Sequence, residues 1–408
     1  MKIAILSAYY GTNIGGAEVS TKLFVDEMIK KNIDIEVITA NHDAHSNEVK
    51  IHKIPFFKAY PKPFLVFDIK LVDFILYRQI RAILKSIKPD ILHIQEFELS
   101  YPAIRAAKSL GIKTLITVRD HRFICNLPLF DKKGEPIDDY SKQDYIRLLK
   151  ELSKQRYGTK MLAYILYHWL KNKPKRFSYA AKNCDLVIAV SDYIKNLVIS
   201  SGIDKERVKT IYNLTPSIGK IRRFSKSRKD DKKYLIFAPG RLEKYKGFHV
   251  LLEAASKIDA ELELVIAGDG TYSKELKELA KQLNISDKVK FTGKLPLDRI
   301  YGYYSAADMV VLPSLWAEPL SRVIWEAFTF KVPLIATDTG GTPELVKDRK
   351  TGLLVEPNNN EKIKDAIELL MKDNRLRKKI SSNAVKFIKS HNKRQLDSYI
   401  SAYRRLMK

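Results

Sequence analysis

MVVLPSLWAEPLSRVIWEAF (309–328) decides the architecture. Its first five residues form a near-continuous apolar run, the pattern of a parallel strand buried on both faces. A loop follows Pro313, and helix periodicity begins near Pro319, a residue suited to a first helical turn. Strand, loop and helix in that order make one step of a doubly wound sheet, where ligands sit beyond the carboxyl ends of the strands. Similar steps surround it: YLIFAPG (234–240), LELVIAG (262–268), KVKFTG (288–293) and PLIAT (333–337) read as strands with helical patterns between them. The first half repeats the plan with KIAILSA (2–8), IDIEVIT (33–39), DILHIQ (90–95), KTLITV (113–118) and LVIAV (186–190). An early helix over 17–30 carries Val19, Leu23, Phe24 and Met28 on one face. SIGKIRRFSKSRKDDKK (217–233) lacks both periodicities and reads as an exposed linker. The expected fold class is α/β, with two facing doubly wound, Rossmann-like parallel-sheet domains at 1–215 and 234–391. A basic linker at 216–233 joins them, and a helix of about 392–408 is expected to pack back on the first domain.

A chain of 408 residues is long enough for two such cores. With 73 basic and 47 acidic residues its net charge is +26, a field that favours anionic partners. Nucleic acid, anionic lipid and phosphorylated small molecules all qualify. No helix-turn-helix, RRM or zinc signature is present, so no nucleic acid is expected, although a basic nucleic-acid-binding protein remains the rival from another class. The two cysteines, Cys125 and Cys184, argue against a disulfide framework and fit a reducing compartment. MKIAILSAYYGTN reads as a strand and glycine-rich loop, not a signal peptide, and no run of 18 apolar residues occurs. A cytoplasmic chain is expected.

Glu318 and Glu326 are the chemically informative pair. If helix joins them, eight residues span about 12 Å and return to nearly the same face. Two carboxylates flanking one glycosidic bond lie at most about 9.5 Å apart, so this spacing suits a longer ligand. Such a ligand has hydroxyls at both ends and an anion between, met by the free N–H groups around Leu320, Ser321 and Arg322. A sugar nucleotide has that layout. GTNIGGAE (11–18) lacks the G-x-G-x-x-G order, which argues against an NAD enzyme.

EPLSRVIWEA (318–327), with its Glu-x7-Glu spacing, resembles the signature of the retaining glycosyltransferases of family 4, which have the GT-B fold. APGRLEKYKGFHVLLEA (238–254), AGDGTYSKELKELA (267–280), FTGKLPLDRIYGYYSAADMVVLPS (291–314) and IATDTGGTPELVKDRKTGLLVEPNN (335–359) match that family in order and spacing. GGAE (15–18) and AVSDYIKN…IYN (189–213) fit as well. The resemblance implies retaining transfer of a hexosyl or N-acetylhexosaminyl residue from a UDP- or GDP-sugar to a glycan or lipid-linked acceptor, with no metal. It implies that Glu326 binds the ribose hydroxyls and that Glu318 contacts the donor sugar near the reacting centre. Arg241 and Lys246 are implied to clamp the pyrophosphate, where cations stabilise charge on the leaving nucleotide. Leu295 takes the position whose backbone reads the base, and Gly16 lies in the loop that approaches the donor phosphates. A GT-B sugar-nucleotide epimerase or a phosphorylase-like enzyme shares the fold but accounts less well for these four charged residues.

The chain departs from the family pattern at two places. Ser321 replaces a frequent glycine, and Arg322 beside it either contacts the donor or faces solvent. In TVRDHRFICN (117–126), Arg119 stands at the usual histidine position, Asp120 is kept as a catalytic candidate, and His121 comes two residues late. Arg119 and His121 are candidates for the acceptor side. RYGTKMLAYILYHWLKNKPKRF (156–177) and PFLVFDIKLVDFILYRQIR (63–81) combine apolar, aromatic and basic residues. They suit either helices covering the first sheet or peripheral contact with an anionic membrane at its inner face.

Overall fold

In the computed structural model of the protein, residues 1–11, 16–56, 69–96, 99–119, 179–215 and 233–408 are described. The linker at 216–232, Asp120, His121, Cys125 and the segment 156–177 lie outside the described residues. The chain separates into two units, the first holding residues up to Asn213 together with Gln395–Lys408, the second Leu214–Arg394.

The first unit is built on seven strands: β1 (Lys2–Leu6), β2 (Asp34–Thr39), β3 (Lys50–Lys53), β4 (Ile91–Ile94), β5 (Lys113–Val118), β6 (Leu186–Ala189) and β7 (Val208–Thr210). All pair in parallel, in the order β3-β2-β1-β4-β5-β6-β7. Its helices are α1 (Gly16–Ile29), α2 (Ile69–Ile87), α3 (Ser100–Lys108) and α4 (Asp192–Ser200). The second unit repeats the scheme with β8 (Tyr234–Pro239), β9 (Leu262–Ala267), β10 (Val289–Phe291), β11 (Met309–Leu312), β12 (Leu334–Thr337) and β13 (Leu353–Val355), ordered β10-β9-β8-β11-β12-β13. Between them run α5 (Phe248–Ser256), α6 (Ser273–Gln282), α7 (Leu297–Ala306), α8 (Arg322–Thr329), α9 (Thr342–Leu345), α10 (Asn360–Lys372) and α11 (Asn374–Lys389). The C-terminal helix, His391–Met407, follows.

Three strands escaped the sequence reading: β3, β7 and β13. Each has three or four residues and sits at a sheet edge, where one side is open and a continuous apolar run is not required. On α1 the buried residues are Ser20, Thr21, Phe24, Val25 and Met28, so Val19 and Leu23 flank the buried stripe instead of forming it.

Both sheets align their strands by one device. An aspartate just before a strand accepts a backbone N–H from the first or second residue of its neighbour: Asp90 from Lys2 (2.7 Å), Asp185 from Thr114 (2.7 Å) and Asp308 from Leu235 (2.8 Å). The cores are mainly aliphatic, with buried aromatic rings such as Phe237, Phe328 and Trp325. Ile236, Leu251, Leu264, Ile266, Val311, Ile335 and Ile367 are almost fully buried in the second unit. Cys184 is buried in the first, and burial pushes its thiol up to about 12, which leaves it unreactive.

Candidate active site

Strand order reverses between β8 and β11, so the loops leaving their carboxyl ends are neighbours. This brings the 241–246 segment, far earlier in sequence, against 313–321. The contact is close enough to dictate residue type. Gly247 has φ +71°, and a Cβ there would lie 1.9 Å from the Pro313 carbonyl oxygen. The Leu315 N–H donates to the Tyr245 carbonyl (2.9 Å) and the Trp316 N–H joins it at 3.3 Å. The other side of the loop rests on β9. The Leu242 N–H donates to the Asp269 carbonyl (3.0 Å), and Cβ atoms at Gly268 and Gly270 would strike the Gly240 and Leu242 carbonyl oxygens.

The result is a close ion pair. Lys246 Nζ lies 2.6 Å from Glu318 Oε1 and 5.0 Å from the centroid of the Trp316 ring. The Ser314 hydroxyl donates to the same carboxylate oxygen. Glu318 is only 4% exposed. Burial pushes its carboxyl up. The Lys246 charge, with hydrogen bonds from Lys246, Ser314 and Trp316, outweighs that and holds it below the ordinary 4.5. Glu318 is therefore an anion at neutral pH, and its backbone is fixed. Its carbonyl accepts from the Gly341 N–H at 2.7 Å, and Gly340, at φ +54°, leaves no room for a Cβ beside it.

That carbonyl bond corrects one expectation. A helix starting near Pro319 would direct the Glu318 carbonyl at the Arg322 N–H. The oxygen is bonded to Gly341 instead, and α8 begins at Arg322 with Ser321 as its N-cap residue. The eight-residue helical span between the glutamates does not exist. Glu318 lies on an extended loop, and only the last four steps to Glu326 are helical. Leu320 is buried and Ser321 half-buried at the tip. Arg322 does not simply face solvent: its Nη2 donates to Glu326 Oε1 at 2.8 Å. Glu326 is 7% exposed, not a surface residue. Tyr301 beneath it is pushed up to about 12 by burial, then by the Glu326 charge.

Arg241 is exposed, with no side-chain hydrogen bond or ion pair among the described residues. Leu295 is half-buried, two residues after Gly293, whose carbonyl accepts from the Gly268 N–H (3.0 Å). The second unit thus gathers three cations, Arg241, Lys246 and Arg322, a helix tip and two buried carboxylates at the mouth of one sheet.

Two family models divide the chain between them. The one described as Glycosyltransferase Family 4 matches residues 14–215, and the one described as Glycosyl transferases group 1 matches residues 220–387. The chain belongs to this glycosyltransferase family. A putative glycosyltransferase, YtcC of Bacillus subtilis, is 32% identical over 51% of this chain and 56% of its own length. An uncharacterized glycosyltransferase of Methanocaldococcus jannaschii is 26% identical over 95% of this chain and 93% of its own. The crystal structure of HepE from Anabaena, in complex with UDP and glucose, superposes with a TM-score of 0.69 at 19% identity. It covers 98% of this chain and 100% of that one, which shows a shared GT-B fold.

In the first unit of this glycosyltransferase, Gly16 is exposed as the first residue of α1. Arg119 leaves the carboxyl end of β5, and its guanidinium donates to the side-chain oxygens of Gln95 and Asn213. Behind Gln95 lies a buried relay that sequence reasoning missed. His93 is fully buried, with Nδ1 2.6 Å from the Tyr403 hydroxyl of the C-terminal helix and Nε2 2.7 Å from Thr117 Oγ1. Burial, and then the Arg119 charge, push its pKa well below 6.5, so it is neutral. Ser314, Gly340 and Gly341 were also not singled out. Only the crowding around Glu318 reveals why they are needed.

Proposed function

We propose that this glycosyltransferase moves a hexosyl or N-acetylhexosaminyl residue from a UDP- or GDP-sugar to a glycan or lipid-linked acceptor, with retention of configuration. The observation that carries the reading is the Lys246–Glu318 pair at the β8/β11 switch point, beside the tip of α8. An ammonium already aligned on a buried carboxylate is a preorganised partner for charge that appears during bond cleavage. When the sugar–phosphate bond breaks, negative charge collects on the distal phosphate. Lys246 and Arg241 stabilise it, and the N–H groups at Leu320–Arg322 add the field of the helix start. Glu318 then holds the donor sugar and Glu326 the ribose hydroxyls, each acid accepting from a hydroxyl as its cation turns toward phosphate. No metal is needed in this scheme. The UDP in the HepE crystal structure supports a nucleoside diphosphate as the anion.

On the acceptor side, Arg119 binds a polar or anionic acceptor group, and Asp120 and His121 stay candidates beside it. We place the chain in the cytoplasm, in peripheral contact with the inner face of the membrane. Among the described residues no helix is long and apolar enough to cross one.

Calorimetric titration with UDP and GDP tests the donor site. Micromolar binding of one nucleotide, lost in Arg241→Ala and Lys246→Ala, is expected. Unchanged binding in both variants, or no binding to either nucleotide, would remove the assignment.

A further inference from the structure

Few large apolar side chains are exposed among the described residues. Two of them, Leu71 (52% exposed) and Phe74 (51%), stand one turn apart on α2. The helix is otherwise amphipathic in the ordinary way, with Val72, Leu76, Ile80, Leu84 and Ile87 buried. Leu71 and Phe74 begin a second stripe, spaced three and four residues alternately, which continues through Arg78, Arg81 and Lys85. Over these fourteen steps it covers about 21 Å. Its first turn is apolar and the rest cationic. The one acidic residue of α2, Asp73, is buried. The neighbouring helix α3 has no acid and adds Arg105, which lies over the Tyr77 and Tyr101 rings at 5.4 and 5.5 Å, and Lys108.

We propose that the α2 stripe Leu71–Phe74–Arg78–Arg81–Lys85 seats the chain on an anionic phospholipid bilayer. Leu71 and Phe74 enter the headgroup boundary, and the cations lie along the phosphates. This gives the peripheral contact proposed above a definite surface, and it rests on that contact alone, not on the transfer chemistry. Two features favour lipid over the other anions. Apolar and cationic residues are segregated along one helix, as an interface between acyl chains and headgroups requires. The buried stripe holds α2 in the first unit against α3, so the outward face is presented without rearrangement, and no acidic side chain on α2 or α3 opposes it.

The full chain is to be sedimented with phosphatidylcholine vesicles, with and without phosphatidylglycerol, at about 0.15 M salt, where surface charge is already partly screened. Binding that depends on phosphatidylglycerol is expected. Leu71→Ser with Phe74→Ser should lower partitioning about tenfold, given the loss of two inserted side chains. Arg78→Gln with Lys85→Gln should lower it about 25-fold, at roughly fivefold per cation. Melting temperatures should hold, since these side chains are exposed. Lys274→Gln with Lys277→Gln on α6 removes the same charge elsewhere and should bind as wild type. Three results would each overturn the proposal: no phosphatidylglycerol-dependent binding, equal losses in the α2 and α6 variants, or binding confined to oligonucleotides. Transfer to a soluble acceptor is assayed in parallel. Its survival beside failed vesicle binding would sink the surface and leave the enzyme reading standing.

Discussion

The two sheets reverse strand order in the same way, between β1 and β4 in the first unit and between β8 and β11 in the second. At each reversal a buried glutamate on the loop after the later strand reaches back to the loop after the earlier one. Glu96 accepts from the Ser7 hydroxyl at 2.7 Å and the Ala8 N–H at 2.9 Å. Glu318 accepts from the Lys246 ammonium. One topology delivers an acid to the same place twice, and the partner decides its use. A backbone amide and a short hydroxyl cannot turn away without moving the chain, so Glu96 holds its loop together. An ammonium on a four-carbon stem can turn without moving the chain, so the Lys246–Glu318 pair can exchange partners, as the proposed donor site requires.

Glycines at φ near +70° sharpen the contrast most strongly. Gly247 in the second unit and Gly111 in the first have φ of +71° and +69°, but only Gly247 has a carbonyl where the Cβ would go. Gly111→Ala carries only the backbone strain of a left-handed residue, about 1–2 kcal/mol. Gly247→Ala must also push the 241–246 loop off Pro313, and about 4 kcal/mol or more is expected. Urea titration of both variants measures the difference. Equal losses would show that the two loops are not packed as described.

Next in size is the cation itself. Lys246→Ala should lower turnover about 10²–10³-fold, as removal of a charge-stabilising donor does. It also leaves Glu318 buried without its countercharge. Burial then dominates, and the carboxyl rises above the ordinary range. Residual activity should consequently fall as pH decreases, where wild type stays flat. Glu96→Gln should do the reverse: stability drops by about 1–3 kcal/mol and turnover stays within a few-fold. If Glu96→Gln cripples turnover while stability holds, the division between holding and exchanging carboxylates fails.

The same comparison explains what was legible in the sequence. Buried central strands such as KTLITV announce themselves because both faces demand apolar residues, and β5 spans the run that was read. Edge strands β3, β7 and β13 do not, since half their surface is wet. Glu318 and Glu326 stand out by their spacing beside a strand end, whereas Arg241 and Lys246 stand out only through the resemblance of APGRLEKYKG to the family's segment. Ser314, Gly340 and Gly341 do not stand out, because their role is set by what lies against them, and a linear string hides that. The helix start was misplaced by three residues for the same reason: a carbonyl bond to Gly341, over twenty positions away, outcompeted the local one.

The smallest expected effect is a slope, and it belongs to the first unit. His93 is held neutral between Tyr403, Thr117 and Gln95, with Tyr399 packed beside it and the Arg119 charge nearby. Its folded pKa lies well below the 6.5 of the unfolded chain. The stabilisation from excluding its proton is therefore complete above about pH 6.5. Below that the unfolded chain takes up a proton that the folded one refuses, and stability falls by about 1.4 kcal/mol per pH unit until the folded pKa is reached. Glu318 shows no such slope in this range, because its lowered carboxyl gives up stability only below about 4.5. Unfolding free energy measured from pH 8 to pH 5 in wild type and His93→Gln isolates the term, because the other histidines contribute equally to both. The variant should be flatter by one proton below pH 6.5 and parallel above it. Parallel curves throughout would mean that His93 is protonated in the fold, and that the bonds from Tyr403 and Thr117 are arranged around a charge.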